Sequence, residues 1–135
     1  MGYYNSGQDC TAPCRVLADE KIYDELIAKL SEKVSALVTG DPSDENTNVG
    51  PLISQEQQER VESMVDRAVS EGAEVIAGGK KIDGAGYFYE PTIIANPNQD
   101  SEIVQREVFG PVISVQKFSG EAQGVETVSY KHLTL

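Results

Sequence analysis

The sequence holds no tryptophan, two cysteines, two methionines and a single histidine among 135 residues, and its 11 basic side chains are outnumbered by 22 acidic ones. Each scarcity closes off a class of function. Cys10 and Cys14 lie four residues apart, so a bridge between them would close a very small loop and could not staple a fold; a reducing cytoplasm is the expected compartment. The one imidazole, His132, falls in a weakly patterned tail, which argues against a Cys–His hydrolase, where the base must be held against sulfur. Two thiols and one imidazole also leave a tetrahedral zinc site short of a ligand, and no metal is expected. With a net charge of −11 and no basic stripe, no nucleic-acid partner is expected, because replacing phosphate counterions needs a cationic footprint. No apolar run reaches the length of a bilayer span, and Met1-Gly2-Tyr3-Tyr4 lacks the charged and apolar regions of an export signal. The chain therefore reads as soluble, without a membrane and unexported. Neither a G-x-G-x-x-G opening a helix nor a G-x-x-x-x-G-K-[ST] is present, so the chain has no complete phosphate cradle of its own.

What is present is an alternation of strands and helices on a chain one domain long at most. Cys14 to Ala18 reads as a short buried strand and Asp19 as the N-cap of a helix. Tyr23, Leu26, Ile27, Leu30, Val34 and Leu37 recur at helical spacing along it, and Gly40 is the expected stop. Residues 40–51, rich in turn formers, are expected to form an ordered surface loop. Ser54 and Gln57 are spaced as a capping box ahead of a helix whose buried face is Val61, Met64, Val65 and Ala68, with Gly72 at its C-terminal cap. Glu74 to Ala77 forms a strand; Tyr87 to Ala95 is β-prone but interrupted by Pro91, which makes part of it an edge or bent strand. Ser101 to Glu107 is helix-compatible, and Val112 to Phe118 is the strongest late strand. Residues 119–135 show no continued amphipathic pattern and read as a poorly ordered or loosely attached strand.

Cys10 follows a Gly-Gln turn and precedes a strand, a position from which a thiolate can approach a carbonyl carbon while neighbouring backbone N–H groups receive the developing oxyanion. A thiol that is only a small apolar residue fits the composition as well, and Cys14 is read as part of the strand entry. Glu107 with Phe109 before Gly110-Pro111 offers a carboxylate and an aromatic ring at a strand entrance, able to grip a sugar and a flat ring; a solvated glutamate at a helix end is the plainer reading.

Taken in order, Asn5-x-Gly7-Gln8-x-Cys10 with Arg15, Gly40-Asp41-Pro42, Gly50-Pro51-Leu52, Glu90-Pro91-Thr92 and Glu107-Val108-Phe109-Gly110-Pro111-Val112 resemble the catalytic domain of the NAD(P)-dependent aldehyde dehydrogenases. The match runs over residues 2–118; Gly2-Tyr3-Tyr4 and Asp9-Cys10-Thr11-Ala12 look most like the aminobutyraldehyde and betaine-aldehyde branch. The resemblance implies an α/β fold: part of that catalytic domain, with an open, mostly parallel twisted sheet and flanking helices over 1–118, followed by a divergent tail at 119–135. It implies that Cys10 attacks an aldehyde to give a thiohemiacetal whose hydride passes to NAD or NADP, leaving a thioester that water hydrolyses to the acid. The Cys10 backbone N–H would form half of the oxyanion hole, Glu107 would hold the nicotinamide ribose and Phe109 would pack near the nicotinamide. A homo-oligomer is implied as well. The family's general-base glutamate, oxyanion side-chain amide and cofactor domain have no counterpart in this sequence, and neither do the helix and Asn-x-x-x-Tyr-Gly-Leu-type segment expected after Phe118. The expectation is thus a fragment that is inactive alone and binds no cofactor by itself. A non-catalytic, self-associating scaffold is the second reading.

Overall fold

The computed structural model describes residues 2–129. A tight turn at Tyr4–Gly7 leads into strand β1 (Arg15–Asp19) and helix α1 (Glu20–Ser35). Helix α2 (Gln55–Ser70), strand β2 (Glu74–Ala77), strand β3 (Thr92–Ala95) and the single-turn helix α3 (Glu102–Gln105) follow, then strand β4 (Val112–Phe118) and helix α4 (Gly120–Ser129). The strands form one sheet in the order β1-β4-β3-β2. β4 runs parallel to both β1 and β3, and β2 is antiparallel on the outer edge.

The α/β expectation holds, and the sheet is mostly parallel and open with helices on both faces. Successive residues of β3 and β4 point to opposite faces. Ile94 and Val112 join Leu52, Val61, Met64, Val65, Ala68, Tyr89, Ile103 and Val108 in a core under α2 and α3. Ile93, Ile113 and Val115 join Ala18, Tyr23 and Val34 in a second core under α1. Each fully buried valine or isoleucine contributes about 1.5–3 kcal/mol, so the two cores fix β3 and β4 between them.

Most local signals do what their chemistry requires. The Asp19 carboxylate accepts from the Lys21 backbone N–H and caps α1, and Gly72, at φ 99°, takes the left-handed position after α2 while Ala73 N–H bonds back to Ala68 O. Four expectations are corrected. Helix α1 stops at Ser35, short of Gly40, because Asn48 bonds the Val38 N–H and two loop N–H groups bond the Val38 carbonyl, pulling that residue out of the helical path. Only half of the capping box forms: Ser54 Oγ accepts from Gln57 N–H, but the Gln57 amide turns away to carbonyls 51 and 52 residues further on. Pro91 splits the stretch in two: Tyr89 ahead of it makes only an isolated bridge with Lys81, while Thr92–Ala95 beyond it is central and fully buried, so the edge expectation fails for β3. Residues 120–129 form helix α4, neither disordered nor a strand. Gly124 there lies close enough to the Phe118 ring that an added Cβ would sit 3.0 Å from it, and Arg15 and Gln99 donate to Thr127 O; tertiary contacts supply what the pattern lacks. Residues 130–135, the end of the expected divergent tail, lie outside the described residues, as does His132.

Candidate active site

Cys10 sits on the Asp9–Ala12 turn, just beyond a turn built from consecutive left-handed residues. Asn5, Ser6 and Gly7 have φ values of 49°, 58° and 70°, which only glycine adopts without cost. The turn is locked by polar contacts from both sides. Ser6 Oγ donates to Gly50 O at 2.8 Å. Gln8 acts as a hub: its Oε1 accepts from Ile53 N–H at 2.9 Å, and its amide donates toward Asn5 O and Pro51 O. Asp9 then closes an Asx turn by accepting from both the backbone N–H and the hydroxyl of Thr11, contacts that hold its carboxyl below the usual range. Cys10 is left exposed at the crest, and among the described residues nothing accepts from its backbone N–H. A cleft of about 300 Å³ beside it is lined by Tyr4, Asp9, Thr11, Ala12 and Pro13.

The second half of the site is the loop between α3 and β4. Val108 is buried in the core under α2, while Glu107 is exposed and Phe109 is 38 % exposed. Phe109 has a φ of 55°, a left-handed conformation that costs a non-glycine residue about 1–2 kcal/mol. Two side chains of α2 hold it there. The Gln57 amide donates to Phe109 O at 2.6 Å and to Val108 O at 3.2 Å; the Arg60 guanidinium donates to Glu107 O at 2.8 Å and also to Val108 O. At roughly 0.5–1.5 kcal/mol for a neutral hydrogen bond and about 1.5–3 for one to a charged group, these contacts outweigh the strain.

The two halves meet through glycine backbone. A Cβ on Gly7 would lie 1.9 Å from Gly110 O, and a Cβ on Gly110 would lie 2.5 Å from Val61 Cγ2; the cysteine turn, the loop and α2 are stacked with no room for a methyl group. Cys14 is half-buried, and its thiol is pushed up by burial and, secondarily, by the Glu107 carboxylate. Glu107 thus lies within electrostatic reach of the strand entry behind Cys10. Its carboxylate forms no hydrogen bond or ion pair among the described residues. Arg15 is absorbed into the sheet, donating to Gln116 and Gln99. Gln57 and Arg60 were missed by the sequence reading, because a glutamine in a capping-box position and an exposed helix arginine carry no local mark of a long-range partner. Among the described residues no three of His, Cys, Asp and Glu gather as a metal would require, and no helix is long and apolar enough to cross a membrane.

A model of the aldehyde dehydrogenase family, by that description, matches residues 1–133. The chain belongs to the aldehyde dehydrogenase family. It is 42% identical to a (Z)-2-((N-methylformamido)methylene)-5-hydroxybutyrolactone dehydrogenase of Acinetobacter baylyi over 90% of this chain and 25% of that protein. It is 40% identical to the betaine aldehyde dehydrogenase of Bacillus subtilis over 92% of this chain and 26% of that protein. The structure of an aldehyde dehydrogenase from Bacillus cereus in complex with NAD+ superimposes with a TM-score of 0.91 at 35% identity, covering 96% of this chain and 26% of that one. This aldehyde dehydrogenase chain therefore spans about a quarter of the length of the relatives it matches. The two named relatives act on different substrates at nearly equal identity, so identity does not single out a branch.

Proposed function

We propose that this chain is the nucleophile-bearing and nicotinamide-facing part of an aldehyde dehydrogenase that oxidises an aldehyde to a carboxylic acid, with Cys10 as the nucleophile and Glu107 and Phe109 as cofactor-binding residues. What supports the reading above all is the Gly7–Gly110 backbone contact, which joins two motifs about a hundred residues apart in sequence. Cys10 is exposed, and its backbone N–H is unengaged among the described residues, as a thiolate that adds to a carbonyl and an N–H that receives the resulting oxyanion require. Glu107 has an exposed carboxylate, without a partner among the described residues, to accept from ribose hydroxyls, and Phe109 two residues on is partly exposed; both fit NAD or NADP. When bound, the nicotinamide supplies the hydride acceptor. The thioester left on Cys10 is then open to water, which releases the acid and returns the thiol. The Gly2-Tyr3-Tyr4 lead and the Asp9 to Ala12 setting support an amino-aldehyde or betaine-aldehyde substrate, and the free thiols suit a reducing cytoplasm.

In this reading the isolated chain does not turn over. The general base and the side-chain oxyanion donor that the family uses are each worth roughly a hundredfold or more in rate, and neither has a counterpart here. The purified chain with NAD+ or NADP+ and an aldehyde therefore yields no reduced nicotinamide. A chimera in which it replaces the matching quarter of the Bacillus subtilis betaine aldehyde dehydrogenase is active, loses turnover with Cys10→Ser and keeps it with Cys14→Ser. Turnover by the isolated chain, or by the Cys10→Ser chimera, contradicts the assignment.

A self-associating scaffold is the second reading. It is favoured by the exposure of Ile53 (82 %), Tyr4 (70 %) and Phe109, on segments that the Gln8–Ile53 hydrogen bond and the Gly7–Gly110 approach tie together, since neighbouring exposed apolar side chains mark a surface that is normally covered. Sedimentation decides: concentration-dependent association supports it, and a monomer at high concentration removes it.

A further inference from the structure

We infer that Gln57 and Arg60 are positioning residues for the cofactor grip. From one face of α2 they set the backbone of Glu107, Val108 and Phe109, so that the Glu107 carboxylate and the Phe109 ring are aimed before any ligand arrives. The inference rests on the reading of Glu107 and Phe109 as cofactor residues and adds to it the device that orients them.

Three consecutive carbonyls, those of Glu107, Val108 and Phe109, are engaged by two side chains three residues apart on α2, a spacing that puts both on the same face. Exposed loop carbonyls are ordinarily satisfied by water. Here side-chain donors replace water at each of the three, on the loop where the one aromatic residue with a left-handed backbone occurs among the described residues. The donors are themselves fixed. Gln57 is one of the first residues of α2, where its N–H is capped by Ser54, and the next residue along the same helix after Arg60 is Val61, fully buried and in contact range of Gly110. The helix cannot shift without moving the loop. Gln57 also forgoes the second half of the capping box, leaving a local contact unmade in favour of the distant one. A loop braced only for stability needs its buried residue, Val108, held in the core; it does not need the carbonyls on either side of that residue oriented as well.

The test uses the full chain labelled with ¹³C and ¹⁵N at phenylalanine, which gives three reporters: Phe88, Phe109 and Phe118. The Gln57→Ala/Arg60→Ala variant is expected to lose the left-handed backbone signature of Phe109 while the signals of Phe88 and Phe118 stay in place. Arg60→Lys, which keeps donors in reach, retains the signature, as does Glu56→Ala on the exposed side of the same turn. A Phe109 signature unchanged in the double variant overturns the inference, and so does a common shift of all three residues, which would mean that the pair only stabilises the fold. The signature reports backbone conformation and not chemistry, so it separates a failure of the brace from a failure of the Cys10 assignment.

Discussion

The turn that leads into Cys10 and the loop that carries Glu107 and Phe109 both contain non-glycine residues in left-handed conformations, yet they are held by different means. The cysteine turn is held by close approach: Gly7 lies against Gly110 with no space for a methyl group, and Gln8 ties the turn to the segment ahead of α2. The loop is held by reach: long polar side chains from α2 grasp its carbonyls. A contact made by backbone excludes all side chains at once, whereas one made by side-chain donors weakens by degrees. The turn ahead of Cys10 should therefore be intolerant of change, and the loop of Glu107 and Phe109 should be tunable.

The largest effect is expected at Gly7. Gly7→Ala combines a positive φ with a Cβ 1.9 Å from a carbonyl oxygen, so the two halves must part; a loss of about 3 kcal/mol or more is expected in denaturant titration. A loss below about 1 kcal/mol would erase the contrast. Gly110→Ala comes next, at about 1–3 kcal/mol for overpacking against Val61. Adding Val61→Ala should recover part of that loss, seen as a favourable coupling in a double-mutant cycle. On the tunable side, Gln57→Ala should cost roughly 0.5–1.5 kcal/mol, with Arg60 still in place. A cost equal to that of Gly7→Ala would make the two halves alike.

The smallest effect sharpens the comparison by pH. Asp9 has a carboxyl held down by the Thr11 N–H and hydroxyl. Because its folded-state value lies below the ordinary one, its contribution is present at neutral pH and is lost as pH falls below the ordinary carboxylate range and through the depressed value. The Thr11 amide signal should move in that range while the Phe109 amide does not. Joint movement of both would mean that the loop depends on the turn's carboxylate.

The sequence made legible whatever is decided within a few residues. Asp19 caps α1, Ser54 caps α2, Gly72 ends it and the Val112–Phe118 run is β4, all from local spacing. What it hid depends on distant partners. Gly40 looked like a helix stop, but Asn48 decides the matter by claiming Val38. Pro91 looked like an edge marker, yet strands on both sides enclose Thr92–Ala95. Helix α4 has a weak pattern and two glycines, and its order comes from Phe118, Arg15 and Gln99. Cys10, Glu107 and Phe109, the residues proposed for the site, stand in motifs that the sequence displays, whereas the contacts of Gln57 and Arg60 do not show there, since nothing local distinguishes a surface arginine from one bound to carbonyls across the fold.

The central claim is that both halves of the site are assembled around α2 in this chain by itself. Nuclear Overhauser contacts in the isolated 135-residue chain test it most directly. The account predicts contacts from the Gly7 α-protons to Pro111, together with contacts from Gly110 to the Val61 methyl groups. Intact contacts between β3 and β4 without any from Gly7 to Gly110 or Pro111 would contradict it.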